Sequence, residues 1–180
     1  MDDADLPLLL ALAAGGAAED PWAVVGLPHL GALAAADSGL DLRSGLWVPH
    51  PGRDWPQVLG VLLEAVPLVL LGPLGRLADR TARRLAALQR RTGSVLLVAG
   101  PWPGAHTRLR VTKSAWEGVG AGHGVLSRRR VTVAATGRGQ SAAGRSAAMW
   151  LPGPNGAPVP VSAAGSLLVE PVAGDLSGVG

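Results

Sequence analysis

Two short apolar runs with an amphipathic helix pattern between them constrain this chain more than any other feature. Val66-Pro67-Leu68-Val69-Leu70-Leu71 and Ser94-Val95-Leu96-Leu97-Val98-Ala99 are each bounded by Gly or Pro. Their length and unbroken greasiness suit strands buried on both faces. The segment from Arg76 to Arg91 between them has helical periodicity. At about 100° per residue, Arg76, Arg80, Arg83, Arg84, Arg90 and Arg91 fall on roughly one third of the wheel. Leu77, Leu85 and Leu88, with Ala78 and Ala82, fill the opposite side. A strand–helix–strand crossover with a greasy inner face and an arginine stripe outside is the expected unit.

The residues before this unit repeat its logic. Leu6 to Ala18 has helix-forming composition, and Asp20-Pro21 ends it. Trp22 to Leu27 reads as a strand stopped by Pro28, and Leu30 to Ala36 as a short alanine-rich helix closed by Ser38-Gly39. Gly45-Leu46-Trp47-Val48 is the next strand, stopped by Pro49. Asp54, with Pro56 in the first turn, is a candidate N-cap for a helix running to about Ala65. An order α-β-α-β-α-β-α-β argues for a parallel sheet covered by helices on both sides.

After Gly100 no long helical pattern returns. Arg108-Leu109-Arg110-Val111-Thr112 alternates as a strand with one covered face does. Gly118 to Gly124 reads as a flexible loop, Arg128 to Ala134 as a strand, Gly137 to Gly144 as a loop and Ala147 to Leu151 as a last short strand. An antiparallel C-terminal extension of the parallel sheet fits this order. One α/β domain is expected over residues 1–156, with an Ala/Gly/Pro-rich tail over 157–180.

Charge is segregated along the chain. Residues 1–75 hold two Arg against nine acids, while residues 76–145 hold thirteen Arg and Lys113 against Asp79 and Glu117. Such a basic half points to an anionic partner, nucleic acid or an acidic protein surface. A solvated face in an arginine-biased chain gives the same asymmetry. There is no Cys, so disulfides and thiolate metal sites are excluded. No run is long and apolar enough for a membrane span, and the acids Asp2, Asp3 and Asp5 precede the first apolar run where a secretory signal wants positive charge. A cytoplasmic location is expected.

Catalytic motifs are almost wholly missing. A P-loop needs glycine amides to wrap phosphates and a lysine to reach them. The only lysine, Lys113-Ser114, is preceded by Thr112, and Thr107 occupies the first glycine position. Gly139-Gln140-Ser141-Ala142-Ala143 falls one residue short of a nucleophile elbow and follows strands rather than joining a strand to a helix. His29, His50, His106 and His123 show no metal-ligand spacing, and Glu117 has no second acid nearby for acid–base work. Trp116, beside Glu117-Gly118, is the tryptophan best placed for partner contact. Neither an enzyme activity nor a cofactor is expected.

The run Leu68 to Gly72, the amphipathic helix, Ser94 to Gly100 and Arg108-Leu109-Arg110-Val111 resemble the second half of the RecA recombinase core. Further segments resemble the actinobacterial ImuA-type family, the RecA-like accessory proteins of the mutasome. These are Trp22 to Pro28, Thr112 to Gly118, Gly122-His123-Gly124, Arg129 to Val133 and Trp150 to Pro154. The resemblance implies a RecA-like three-layer sandwich with the P-loop missing. It implies a non-catalytic role in SOS-induced damage tolerance, in contact with a Y-family-like polymerase homologue and an error-prone replicative-type polymerase. The residues expected to meet a partner or nucleic acid are Arg76, Arg80, Arg83, Arg84, Arg90, Arg91, Lys113, Trp116, Arg128, Arg129 and Arg130. The alternative role is a recombinase-like protein that contacts the DNA phosphate backbone through its arginine-rich helix and strand.

Overall fold

In the computed structural model the described residues are 5–16, 20–120, 123–137, 144–152 and 158–161, with backbone alone for 118–120 and 123–128. The chain divides into two compact units, Met1–Gly104 and Ala105–Gly180.

Among its described residues the first unit holds four α-helices, α1 (Leu6–Gly16), α2 (Ala32–Asp37), α3 (Trp55–Ala65) and α4 (Asp79–Thr92). They alternate with four strands, β1 (Trp22–Val25), β2 (Gly45–Val48), β3 (Leu68–Leu71) and β4 (Val95–Val98). All pairings are parallel, in the order β2-β1-β3-β4. The chain steps from β1 to one side and then crosses back over β1 to build β3 and β4. Right-handed crossovers require the helices on the two sides of that reversal to lie on opposite faces. The packing obeys this. Trp22, Val24, Leu68 and Leu70 meet Leu9, Leu10 and Ala13 of α1 and Ala35 of α2. Their sequence neighbours Ala23, Val25, Val69 and Leu71 meet Leu59, Leu62 and Leu63 of α3 and Leu85 of α4. β1 and β3 are buried at every position, as inner strands covered on both sides must be. Among the described residues no helix is long and apolar enough to cross a membrane.

Helix α4 starts three residues later than the wheel suggested. Ala78 is the extended N-cap and Asp79 opens the first turn, where its charge complements the helix dipole. Arg76 therefore precedes the helix and is not part of its stripe, and Ala78 is exposed rather than packed inward. At the other end Gly93 takes a left-handed conformation, φ 72°, and its N–H donates to the Gln89 carbonyl. Asp54 precedes α3 but its side chain makes no capping bond, and Pro56 stands in the first turn as expected.

The second unit is an antiparallel sheet in the order β5-β6-β7-β8, formed by β5 (Thr107–Gly120), β6 (His123–Gly137), β7 (Arg145–Trp150) and β8 (Val159–Pro160). It is a sheet of its own and does not continue the parallel ladder, which corrects the expected extension. The reason lies in length: β5 and β6 pair along almost their full extent, a ladder far longer than the four-residue β4 could offer. The glycine-rich stretch Gly118 to Gly124 does not form a loop of that length, because β5 runs to Gly120 and β6 begins at His123. The loop expected at Gly137 to Gly144 lies mostly outside the described residues. So do the turn after Pro152 and residues 162–180 of the tail.

Candidate functional site

Ligands of open parallel sheets enter at the carboxyl ends of the strands, where the strand order reverses. Here that point lies between β1 and β3, and a cleft of about 670 Å³ opens beside it. Its walls are Gly26 to Leu30 after β1, Pro49 to Gly52 after β2, and Pro73 and Leu74 after β3, with Leu6 of α1. His29 and His50, both exposed, line this one cleft. Taken singly along the sequence they showed no pairing. The overlooked signal is a repeated phrase, since Leu27-Pro28-His29 and Val48-Pro49-His50 each place Pro-His just beyond a strand, and parallel neighbours bring the two together. Among the described residues no group of His, Asp and Glu is placed to hold a metal ion.

The mouth between β1 and β3 is closed by the chain itself. Gly72 N–H donates to the Val25 carbonyl at 2.8 Å, and a Cβ on Gly72 would lie 1.9 Å from the Gly26 oxygen. Gly26 has φ +69°, and a Cβ there would come within 2.5 Å of Leu74 Cδ2. Leucine and backbone thus fill the place where a phosphate would meet glycine amides. The rim is proline and leucine with two imidazoles and no lysine or arginine.

The basic residues form two groups, one in each unit. On α4, Arg80, Arg83, Arg84 and Arg90 are exposed on the outer face, while Ala82 and Leu85 are buried below. Arg91 is engaged: its Nη2 donates to Glu64 Oε1 of α3 at 2.6 Å, with both side chains more than half exposed. Exposed pairs of this kind are weak. A double-mutant cycle of Arg91→Ala and Glu64→Ala, read by thermal unfolding, is expected to give a coupling of no more than about 1 kcal/mol.

In the second unit Trp116 lies opposite Arg129, and Arg129 Nε donates to Ser114 Oγ at 2.7 Å, so these three share one face of the sheet. Arg130 pairs with Ala115 and lies on the other face with Lys113, which pairs with Thr132. The three consecutive arginines are therefore not one cluster. Arg128 stands opposite Glu117 in the register; its side chain lies outside the described residues. β6 is flanked by β5 and β7, so the triplet does not guard an open edge. Among the described residues the edge strands are β5 and the two-residue β8. Sequence reasoning passed over Arg108 and Arg110, which are exposed on β5.

The family model described as "MT3502 N-terminal domain" matches residues 2–104. This chain belongs to the MT3502 N-terminal domain family. The matched segment ends where the first compact unit ends, so the parallel sheet with its cleft and the α4 stripe is the family's part of the molecule. The chain is also 42% identical over 107 residues to a Mycobacterium tuberculosis protein, the uncharacterized protein Rv3395c. That match covers 58% of this chain and 50% of the relative, so the chain spans about half of that protein's length.

Proposed function

We propose that this member of the MT3502 N-terminal domain family is a non-catalytic, RecA-like accessory protein of the ImuA type, acting in the cytoplasm by protein–protein contact during SOS-induced DNA damage tolerance. Its partners are a Y-family-like polymerase homologue and an error-prone replicative-type polymerase. One observation carries the reading. The strand ends where a parallel α/β sheet receives phosphates hold Gly72 against the Gly26 carbonyl and Leu74 over Gly26, in a rim without lysine or arginine. Such a site lies at the strand-order reversal of a parallel α/β sheet and has the surface chemistry of a protein contact, apolar with a few polar groups at its border. The resemblance of the β3–α4–β4 crossover and of Arg108 to Val111 to RecA supplies the rest.

The test is reconstitution of the full chain with the two polymerases of its own organism. A complex with the Y-family-like homologue on size exclusion is expected, together with no triphosphate hydrolysis above background by the chain alone or in the complex. Replacing the exposed cleft histidines, His29→Glu with His50→Glu, is expected to weaken that complex at least tenfold. A complex that survives unchanged would move the contact away from the cleft. Absence of any complex would sink the reading.

A further inference from the structure

The alternation of β5 is broken once, and the break decides which side chains share a face. Val111 pairs with Val133, but Lys113 pairs with Thr132, so Thr112 is the extra residue of a β-bulge. Its hydroxyl donates to the Thr132 carbonyl at 3.2 Å. In an unbroken strand an odd-numbered lysine would point away from Arg108 and Arg110. The bulge puts it on their side. Arg108 pairs with Thr136, Arg110 with Ala134 and Lys113 with Thr132, and Arg130 follows two residues along β6 from Thr132. All four cations are exposed. The opposite face carries Leu109, Val111, Val131 and Val133, the last two buried to 1% and 6% exposure. Arg129 and Arg145 also lie on that valine-bearing face, so what sets the first side apart is its row of four exposed cations. The unit from residue 105 onward has eight basic residues against three acids. Among the described residues Glu117 is the acid that shares the side of these four cations, at its far end opposite Arg128.

We propose that this basic face binds single-stranded DNA through its phosphates. Neighbouring cations at i and i+2 lie roughly 7 Å apart along a strand, giving a row of charges along an extended backbone rather than a point site. Trp150 pairs with Arg130 and so stands on the same side. An aromatic ring beside a row of cations is the arrangement on which bases of a single strand stack. A duplex fits less well. The major groove, about 12 Å wide, admits a helix or a two-stranded ribbon; the four-stranded sheet, with strands about 4.8 Å apart, is broader than that. The inference is independent of the polymerase contacts and concerns the other unit of the chain.

Fluorescence anisotropy of labelled oligo(dT) with the full chain tests it at about 50 and about 200 mM salt. Four phosphate contacts predict a slope of log K against log salt near −2.8, at roughly −0.7 per contact for single strands. Arg110→Glu with Lys113→Glu is expected to lower affinity at least tenfold and to reduce the slope by about 1.4. Arg43→Glu, at an exposed position of the first unit, is expected to change neither. If the double glutamate variant does not fold, Arg110→Gln with Lys113→Gln replaces it, with the same expected change in slope. Deleting Thr112 restores a regular ladder without moving any cation to the other face, so binding within about threefold of the parent is expected. The proposal is overturned by no binding at low salt, by duplex binding tighter than single-strand binding, or by loss on Arg83→Glu with Arg90→Glu in α4 instead. It is overturned equally if the β5 variant binds DNA as before but self-associates, because the charges would then be guards of an edge strand.

Discussion

Gly72→Ala is expected to cost about 3 kcal/mol, the upper end of ordinary overpacking, and to lower the melting temperature of the parallel unit by roughly 12–24 °C. The added methyl would stand 1.9 Å from the Gly26 carbonyl oxygen and 2.5 Å from its carbon. Those are backbone atoms, so no rotamer change relieves the contact. Gly26 is itself tied down, its N–H donating to the Val48 carbonyl at 3.0 Å, while Gly72 N–H is spent on Val25. Moving either strand end breaks the ladder at the switch point. Gly75, three residues on, is the internal control: a Cβ there meets nothing within 4 Å, and alanine should fall within about 0.5 kcal/mol of the parent. Differential scanning calorimetry of both variants is the measurement. If Gly72→Ala melts like Gly75→Ala, β1 and β3 are not held in contact at their carboxyl ends. The closed mouth on which the non-catalytic reading stands would go with it.

What the sequence revealed and what it hid divide by the range of the interactions involved. The parallel half was legible because each of its elements announces itself locally. Strands stop at or a few residues before Pro28, Pro49 and Gly72, α4 is amphipathic, and Gly93 ends it in a left-handed conformation that glycine adopts without strain. Even so, Arg76 was misplaced, because a helical wheel has no means of seeing that Ala78 is extended. The second unit was less legible. A glycine-rich stretch such as Gly118 to Gly124 reads as a loop by propensity, yet the hairpin carries its strands on to Gly120 and resumes at His123. Tertiary pairing overrides a weak backbone preference there. A one-residue bulge leaves almost no local mark, so the side on which Lys113 lies could only be read from the register with β6. The cleft is similar, since His29 and His50 are 21 positions apart in sequence and line one cleft only because β1 and β2 are parallel neighbours.

The other large effect is expected at Trp22, which lies at the end of β1 farthest from the cleft. Its ring is fully buried, packs edge-on against Trp47 with centroids 5.5 Å apart, and donates Nε1–H to the Asp41 carbonyl at 2.9 Å. Trp22→Ala is expected to cost about 3–5 kcal/mol, a large share of the about 5–15 kcal/mol by which domains are stable. Trp22→Phe keeps much of the volume, and the Asp41 carbonyl retains the Ser44 hydroxyl as donor, so its cost should be nearer 1 kcal/mol. The partner residue that proves the mechanism is Gly45, which faces Trp22 in the register and whose Cβ would lie 2.7 Å from the indole Cζ2. Gly45→Ala alone should therefore destabilise. Placed on Trp22→Ala it should be neutral or mildly stabilising, because the methyl then enters the space the indole has left. Urea unfolding of the four proteins gives the coupling directly, and an interaction of about 1 kcal/mol or more is expected for residues in such contact. Additive costs would mean that β2 does not start with a glycine in order to admit the ring. The pairing of β1 with β2, which brings His29 and His50 to one cleft, would need another cause.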